Sequence, residues 1–463
     1  MGARGGYVPP HARGRASKGP KASTSSASRA TASAGGARTL EALEKELVAA
    51  AKKCARDAAQ GFAMYERALD GLRALARADD GDAARADAAR IALSEGLLEY
   101  AGEATRAARR RPLSETTRED ERRALERASA LANEALETFE RLEGEPVARS
   151  NGVATALSLA AEYGAHGDDA GAKANALRRA VEAYDAAATA IEASGNAGGD
   201  VLPALWNCAD ARLKAAEAAA ELNDVGAAAT AYDEAFKLYE RACGHCDASK
   251  GDDLGSFLYD WGCSLTSYAQ FLLQTNDRAA AGTAAERAVE KLRAAARFST
   301  GAVEPLNALG DAYQTQAEIA LSLDETDAER RAEGALRLAR EDAYETALRA
   351  NAANLNATVG VGEVMMSFAA ILRRRGDTDA ALAAHRDAWR AYDRALSLDG
   401  GADPGACDER FAIVYNAACA ANRAGDTARA HELIHGLLLC GGASRDAVDA
   451  DDDLRPPLRA ARA

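Results

Sequence analysis

Residues 388–395 read AWRAYDRA, and the spacing inside this octet decides the fold. Ala388, Tyr392 and Ala395 stand four and then three positions apart, which places them on one stripe of an α-helix. Two small residues let a neighbouring helix approach closely, and the aromatic ring fills the groove beside them. The same spacing returns in residues 180–187 (AVEAYDAA; Ala180, Tyr184, Ala187) and 228–235 (AATAYDEA; Ala228, Tyr232, Ala235). Looser copies are Gly61-Tyr65-Ala68, Ala135-Phe139-Leu142 and Arg340-Tyr344-Ala347. Neighbouring copies lie roughly 45–48 residues apart, so the chain repeats a helical unit.

Composition agrees with an all-helical chain. The 463 residues are 48% hydrophobic and only 5% aromatic, and Ala dominates the apolar set. Ala has the highest helix propensity and no rotamer entropy to lose. Apolar runs such as Val364–Leu372 are shorter than the roughly 18–20 residues a bilayer span needs, so no membrane span is expected. Eight cysteines are scattered over a long chain, the usage of a reducing compartment rather than of a disulfide framework.

Charge is divided sharply. Residues 1–40 hold seven bases (Arg4, Arg13, Arg15, Lys18, Lys21, Arg29 and Arg38) and no acid; the whole chain is −14, so the remainder carries −21. An acidic body is a poor binder of polyanions, which need Lys and Arg at the phosphates. The basic runs Arg109-Arg110-Arg111 and Arg373-Arg374-Arg375 are read as helix ends, where cations meet the negative end of the dipole.

Residues 1–39 form a separate arm rich in Ser, Ala, Gly and Arg, without hydrophobic period. Two readings of it stay open. Its Ser/Arg-rich, acid-free composition is that of an organellar transit peptide, with the structured chain starting near Leu40. Alternatively, Gly6–Gly14 (GYVPPHARG) resembles the Tyr-Val-Pro-Pro-His segment in the N-termini of DEAD-box RNA helicases, which implies a retained arm in the cytoplasm that contacts RNA. Myristoylation fits badly, since position 6 is Gly where Ser or Thr is wanted.

Punctuation sets out the hairpins. Pro112, Pro146, Pro203, Pro305 and Pro404 each precede a periodic stretch, as Pro does in a first helical turn. Gly167-Asp168, Asn223-Asp224, Asn276-Asp277, Gly376-Asp377 and Gly425-Asp426 mark the turn inside each hairpin: Gly or Asn takes the left-handed cap, and Asp caps the helix that follows.

Around these turns the chain resembles tetratricopeptide repeats (TPR). The matching residues are Leu306, Leu309, Gly310 and Tyr313; then Met365, Phe368, Ala369, Leu372, Ala381 and Ala388. Val414, Ala417, Ala418, Ala421, Ala430, Ile434 and Leu437 match in the last hairpin, and Leu265, Tyr268, Ala269, Leu272, Ala281, Ala285 and Ala288 in an earlier one. Units of about 50 residues exceed the family's 34, so helices are longer or loops inserted, with Ser322–Glu333 read as one such loop. The resemblance implies a TPR-like α–α superhelix, a solenoid of antiparallel hairpins. Residues 40–145 are expected to be divergent repeats or a helical cap, 146–440 the repeat array, and 441–463 an acidic, Pro-containing tail that covers or leaves the last hairpin. It also implies protein binding, and the relatives that clamp heat-shock chaperone C-termini use basic residues where this chain has Asp311 and Ala370, which disfavours that partner.

Two motifs carry the look of chemistry. His431-Glu432-Leu433-Ile434-His435 matches H-E-x-x-H, in which two His hold zinc and the Glu activates its water. It falls in the second helix of the last hairpin, with Ala430, Ile434 and Leu437 on the core stripe, so His431 and His435 are metal candidates only for a remote zinc-hydrolase alternative. Cys243-Gly244-His245-Cys246 has the tetrapeptide of disulfide isomerases, but it ends a helix, where the dipole disfavours a thiolate. The Gly-rich stretches at 195–199, 400–401 and 441–442 lack the strand, helix and Lys of a phosphate loop, and Trp206, Trp261 and Trp389 fall on helical stripes as core residues.

The sequence therefore points to a non-catalytic scaffold or assembly factor that binds a partner protein, with no catalytic residues and no cofactor. A basic or amphipathic partner segment complements the acidic body. Nucleic acid is expected only through the arm, and the plastid or another organelle is the expected location if residues 1–39 are a transit peptide, the cytoplasm otherwise.

Overall fold

The computed structural model describes residues 39–78, 82–109, 118–163, 170–193, 201–245, 251–299, 301–323, 326–398, 407–440 and 443–454. All regular structure among them is helical. The helices are α1 Leu40–Cys54, α2 Ala58–Arg77, α3 Ala83–Arg109, α4 Arg118–Glu140, α5 Pro146–Glu162, α6 Ala170–Ala193, α7 Val201–Glu221 and α8 Val225–Cys243. They continue as α9 Gly251–Gln274, α10 Arg278–Phe298, α11 Glu304–Ser322, α12 Ala328–Leu338, α13 Glu345–Ala350, α14 Leu355–Arg374, α15 Thr378–Leu398, α16 Cys407–Ala424, α17 Thr427–Cys440 and α18 Arg445–Ala450. A π-helical segment, Ala339–Tyr344, joins α12 to α13. Consecutive helices pair as antiparallel hairpins, and the chain divides after α8 into two compact units. The first unit stacks the hairpins α1/α2, α3/α4, α5/α6 and α7/α8. The second stacks α9/α10, α11/α12–α13, α14/α15 and α16/α17. This is the all-α, TPR-like array of antiparallel hairpins that the resemblance implies.

The turns form as their residues dictate. Asn223, Asn276, Gly376 and Gly425 all take positive φ (58°, 67°, 79° and 94°), closing the first helix of each hairpin. The following Asp then accepts from a backbone N–H three residues on: Asp224 from Ala227 at 3.0 Å, Asp277 from Ala280 at 3.1 Å, Asp377 from Ala380 at 3.1 Å and Asp426 from Arg429 at 3.2 Å. Each such cap contributes about 1 kcal/mol. Pro146 and Pro305 stand in the first turns of α5 and α11. Gly167-Asp168, Pro112 and Pro404 lie outside the described residues. Ser322–Glu333 is not an inserted loop: helix resumes at Ala328, and the extra repeat length lies in longer helices.

The stripe residues form the core. Gly61, Tyr65 and Ala68; Ala135, Phe139 and Leu142; Ala180, Tyr184 and Ala187; Ala228, Tyr232 and Ala235; and Ala388, Tyr392 and Ala395 are all buried. The copy at 340–347 needs correction. Arg340 is half-buried and pairs with Glu345 at 2.8 Å, whereas Ala339, Tyr344 and Ala347 are the buried residues. Ala339 and Tyr344 are five apart, not four, and the π segment absorbs that extra residue by bonding one position further along the chain. The stripe is kept and the turn is widened.

Tyr344 shows what the stripe is for. Its ring lies between Gly310 of α11 and Gly360 of α14, and a Cβ at either glycine would come within 2.4 Å of it. Its hydroxyl donates to Asp311 and accepts from Gln314 Nε2 at 2.8 Å. Burial, and then the nearby Asp311 and Glu363 carboxylates, hold this phenol well above its ordinary pKa. Phe139 fills the corresponding space over Gly152, and Tyr392 that beside Gly362.

Helix α14 is long and apolar enough by length and composition to cross a membrane. Its Leu355, Val359, Val364 and Ile371 are buried in the hairpin stack, the arrangement of a core helix.

A methyl group at Gly310 should displace the Tyr344 ring and destabilise the second unit by about 1–3 kcal/mol. Gly334, also helical, has nothing within 4 Å of its Cβ direction, so Gly334→Ala should be neutral or stabilising by up to about 1 kcal/mol. Urea denaturation of Gly310→Ala, Gly334→Ala and the parent chain measures the contrast; equal midpoints would refute the ring-in-notch account.

Candidate interaction surface

Within the first unit α1 touches α3, α3 touches α5 and α5 touches α7, so first helices line one side of the stack. On α3 this side carries Glu95, Glu99 and Glu103, one turn apart at i, i+4 and i+8. Glu44 of α1 lies close enough to Glu95 to raise its pKa: burial, then Glu44, then Glu99 push Glu95 up, and burial, then Glu41, push Glu44 up. Both side chains keep an exposed edge. The nearest lysine on α1, Lys45, is engaged at 2.9 Å with Glu41. Glu103 meets Arg106 through Oε1 at 2.6 Å while its Oε2 is buried without a hydrogen-bond partner. Within the stripe Glu103 already has a cation, whereas Glu95 stands where the Glu44 and Glu99 carboxylates both oppose its ionisation.

Elsewhere the same side is neutralised. Lys214 of α7 donates to Glu162 of α5 at 3.0 Å and pairs with Asp210 at 3.4 Å. Behind them Asp185 accepts from Arg212 at 2.7 Å and from the Cys208 thiol at 3.0 Å. Burial, and then Asp185, push that thiol up to about 12, out of the range of a reactive thiolate. In the second unit the first helices are tied by neutral amides: Gln270 donates to Thr315 at 3.1 Å and Asn307 to Asn354 at 3.3 Å.

His431 and His435 are both exposed on α17, with ring centroids 6.3 Å apart, and Ala430, Ile434 and Leu437 occupy the core as the stripe requires. Glu432 pairs with Arg429 at 2.6 Å. Among the described residues no group of three or more His, Cys, Asp or Glu forms that could hold a metal ion. Cys243 is exposed as the last residue of α8, and Cys246 lies outside the described residues. Trp206 and Trp261 are buried, and Trp389 is half-buried against the core of α14, α15 and α16. Arg373 and Arg374 close α14, and Arg375 ties back to Glu329 at 2.8 Å and Glu333 at 2.6 Å on α12. Arg110 and Arg111 are outside the described residues.

The Glu95–Glu99–Glu103 stripe was open to sequence reading as a one-turn glutamate spacing; its approach by Glu44 was not, since 51 residues separate Glu44 from Glu95.

No protein-family model matches this chain, and no curated protein matches it. Among solved structures, human IFIT1 as a dimer with PPP-AAAA aligns at 14% identity over 91% of this chain and 82% of that one, TM-score 0.40. The S. pombe nuclear import adaptor Nro1 aligns at 16% identity over 67% of this chain and 94% of that one, TM-score 0.37. TTC0263, a thermophilic TPR protein of Thermus thermophilus, aligns at 17% identity over 53% of this chain and 98% of that one, TM-score 0.30. The likeness in each case goes no further than stacked helical hairpins.

Replacing both carboxylates (E44Q/E95Q) should stabilise the first unit at pH 7 by about 0.3–1 kcal/mol, after discounting for solvent screening. A carboxyl whose folded pKa lies above its unfolded value binds more protons when folded, so stability falls as pH rises through that window. The advantage of E44Q/E95Q should therefore shrink as pH falls through the ordinary glutamate pKa of about 4.3, and be nearly gone at about pH 3.5, where both carboxyls are mostly protonated in either state. Thermal melts of both proteins from pH 3.5 to 7.5 test this; a constant difference across the range would contradict it.

Proposed function

We propose that this chain is a non-catalytic scaffold or assembly factor whose first unit receives a basic or amphipathic segment of a partner protein on the α1/α3 side. The observation that carries this reading is the placement of exposed carboxylates on one side, Glu95 and Glu99 one turn apart on α3 with Glu44 of α1 beside Glu95. Evenly spaced glutamates on a rigid helix match cationic side chains spaced along an extended or helical partner segment. The rest of the unit supports the role by being packed and internally neutralised, so binding needs no rearrangement of the core.

The proposed setting is an organelle such as the plastid, supported by the acid-free, Ser- and Arg-rich residues 1–39. A second reading keeps the arm in the cytoplasm and has it contact RNA; the GYVPPHARG stretch at residues 6–14 favours it.

Affinity capture from the native cells with the parent chain and with E44Q/E95Q/E99Q as baits tests the surface. A partner retained by the parent, lost from the variant and released by salt is the expected result; equal capture by both baits would remove the α1/α3 side from the account. N-terminal sequencing of the mature protein tests the setting. A start near residue 40 is expected for organelle import, and an intact arm that crosslinks to RNA would replace that reading with the second.

A further inference from the structure

After α17 the chain turns through α18, begun by the Ser444 hydroxyl accepting from the Ala447 N–H at 3.2 Å, and then runs as non-helical chain from Asp451 to Leu454 against α16. The groups that receive it are aimed at features of a short acidic turn, closed by the Leu454 N–H donating to the Asp451 carbonyl at 3.2 Å. Tyr415 donates to Asp451 Oδ2 at 2.8 Å. Arg423 Nε donates to Asp453 Oδ1 at 2.6 Å, and Arg373 of α14 stands 3.7 Å from the same oxygen. Two further bonds read the main chain: Asn422 Nδ2 donates to the Asp453 carbonyl at 2.5 Å, and Arg423 Nη2 to the Asp452 carbonyl at 3.1 Å. The Asp453 N–H turns back to Asp451 Oδ1 at 2.7 Å, which shapes the segment.

The apolar part is small. Val448 and Leu454, 1% and 0% exposed, enter a slot formed with Phe411, Val414, Ile434 and Leu437. His385 of α15 is 6% exposed with neither ring nitrogen hydrogen-bonded. Burial, and then the Arg373 guanidinium, keep it below its ordinary pKa, with Arg423 acting in the same sense and Asp453 against it.

Three properties separate this contact from a permanent cap. The ion pairs are partly open to solvent, at 26% and 30% exposure for Arg423 and Asp453, and such pairs hold weakly. Helix α18 has six residues, too few to persist without its contacts. Main-chain carbonyls are recognised by side chains of α16, the way a groove grips a peptide rather than the way two helices pack.

We propose that the groove of Arg373, Tyr415, Asn422 and Arg423 is a second binding site, for a partner-protein segment carrying two aspartates one residue apart followed by an aliphatic residue, and that Asp451–Leu454 occupies it in cis. The tether keeps the cis segment at high effective concentration, so the partner must compete for the groove. This site takes a ligand of charge opposite to that of the α1/α3 side, and its test is independent of the test made there.

The experiment uses a fluorescent peptide with the sequence of residues 444–457, SRDAVDADDDLRPP, and reads anisotropy. The receptors are the full chain, a chain ending at Ala450, and the full-length variant D451N/D453N. Saturable binding to the shortened chain and to D451N/D453N, at least about tenfold tighter than to the intact chain, is expected. The same peptide with Asn at both aspartates should not bind, and R423E in the shortened chain should abolish binding. Failure of a shortened chain with a cooperative melt to bind overturns the proposal, as does equal binding by the intact chain. If the shortened chain does not fold, D451N/D453N decides alone by the same criterion. A dimer of the intact chain in sedimentation that D451N/D453N dissolves would make a second copy the occupant, and would equally overturn it.

Discussion

A large side chain seated in the space left by a missing one is the constraint on which the rest of this structure depends. Tyr344 between Gly310 and Gly360 is the fullest case, and Phe139 over Gly152, Tyr392 beside Gly362 and Leu292 over Gly262 repeat it. Each contact joins a second helix to its own first helix, to the next one, or to both. Core formation is therefore a nearest-neighbour affair, and stability in each unit accumulates hairpin by hairpin. Because the stripe settles the packing, the outward faces are left to vary. A glutamate row on α3 and an arginine pair at the ends of α14 and α16 occur on the same scaffold for that reason.

Polar groups refine what the notches establish. Arg73 of α2 reaches Glu134 of α4 at 2.7 Å, Lys173 of α6 reaches Glu221 of α7 at 2.9 Å, and Arg375 reaches α12. Each of these pairs crosses from one hairpin to the next. Partly open to solvent, single pairs of this kind contribute on the order of 1 kcal/mol or less, the two-bond Arg73–Glu134 pair being the best shielded of them. Their partners are specific, and with the buried Asn307–Asn354 and Gln270–Thr315 bonds they fix which turn of one helix faces which turn of its neighbour. Asp87 works similarly inside the first unit, accepting from the backbone of Gly144 at 2.8 Å and of Glu143 at 3.2 Å, and so anchoring the joint between α4 and α5 to α3.

Most of this architecture was legible in the chain because its determinants are local. Four turns closed by Asn or Gly and capped by Asp stand where those dipeptides are, and the small–aromatic–small stripes are buried as their spacing requires. What could not be read depends on contacts between distant residues. A fixed spacing of four puts Arg340 at the stripe position, and only the packed helix shows that Ala339 takes the place instead. Residues 328–333 read as loop because their charges mask an apolar stripe reduced to Ala328, Ala332 and Leu336. Of the candidate surfaces, the glutamate spacing on α3 was visible and its approach by Glu44 was not. The acidic tail was visible as composition, but its seat on Tyr415, Asn422 and Arg423 was not.

The π segment has a meaning beyond its own hairpin. An additional residue in a helix ordinarily rotates everything after it by about 100°, moving the next stripe off the core. Here the surplus is confined to one widened turn, and Tyr344 and Ala347 still meet the neighbouring helices. A one-residue insertion within a repeat can thus be absorbed without moving the stripe, so the period along the chain can change by one while the packed contacts stay in place. Counting residues between repeats underestimates how regular such a protein is; counting buried notches does not.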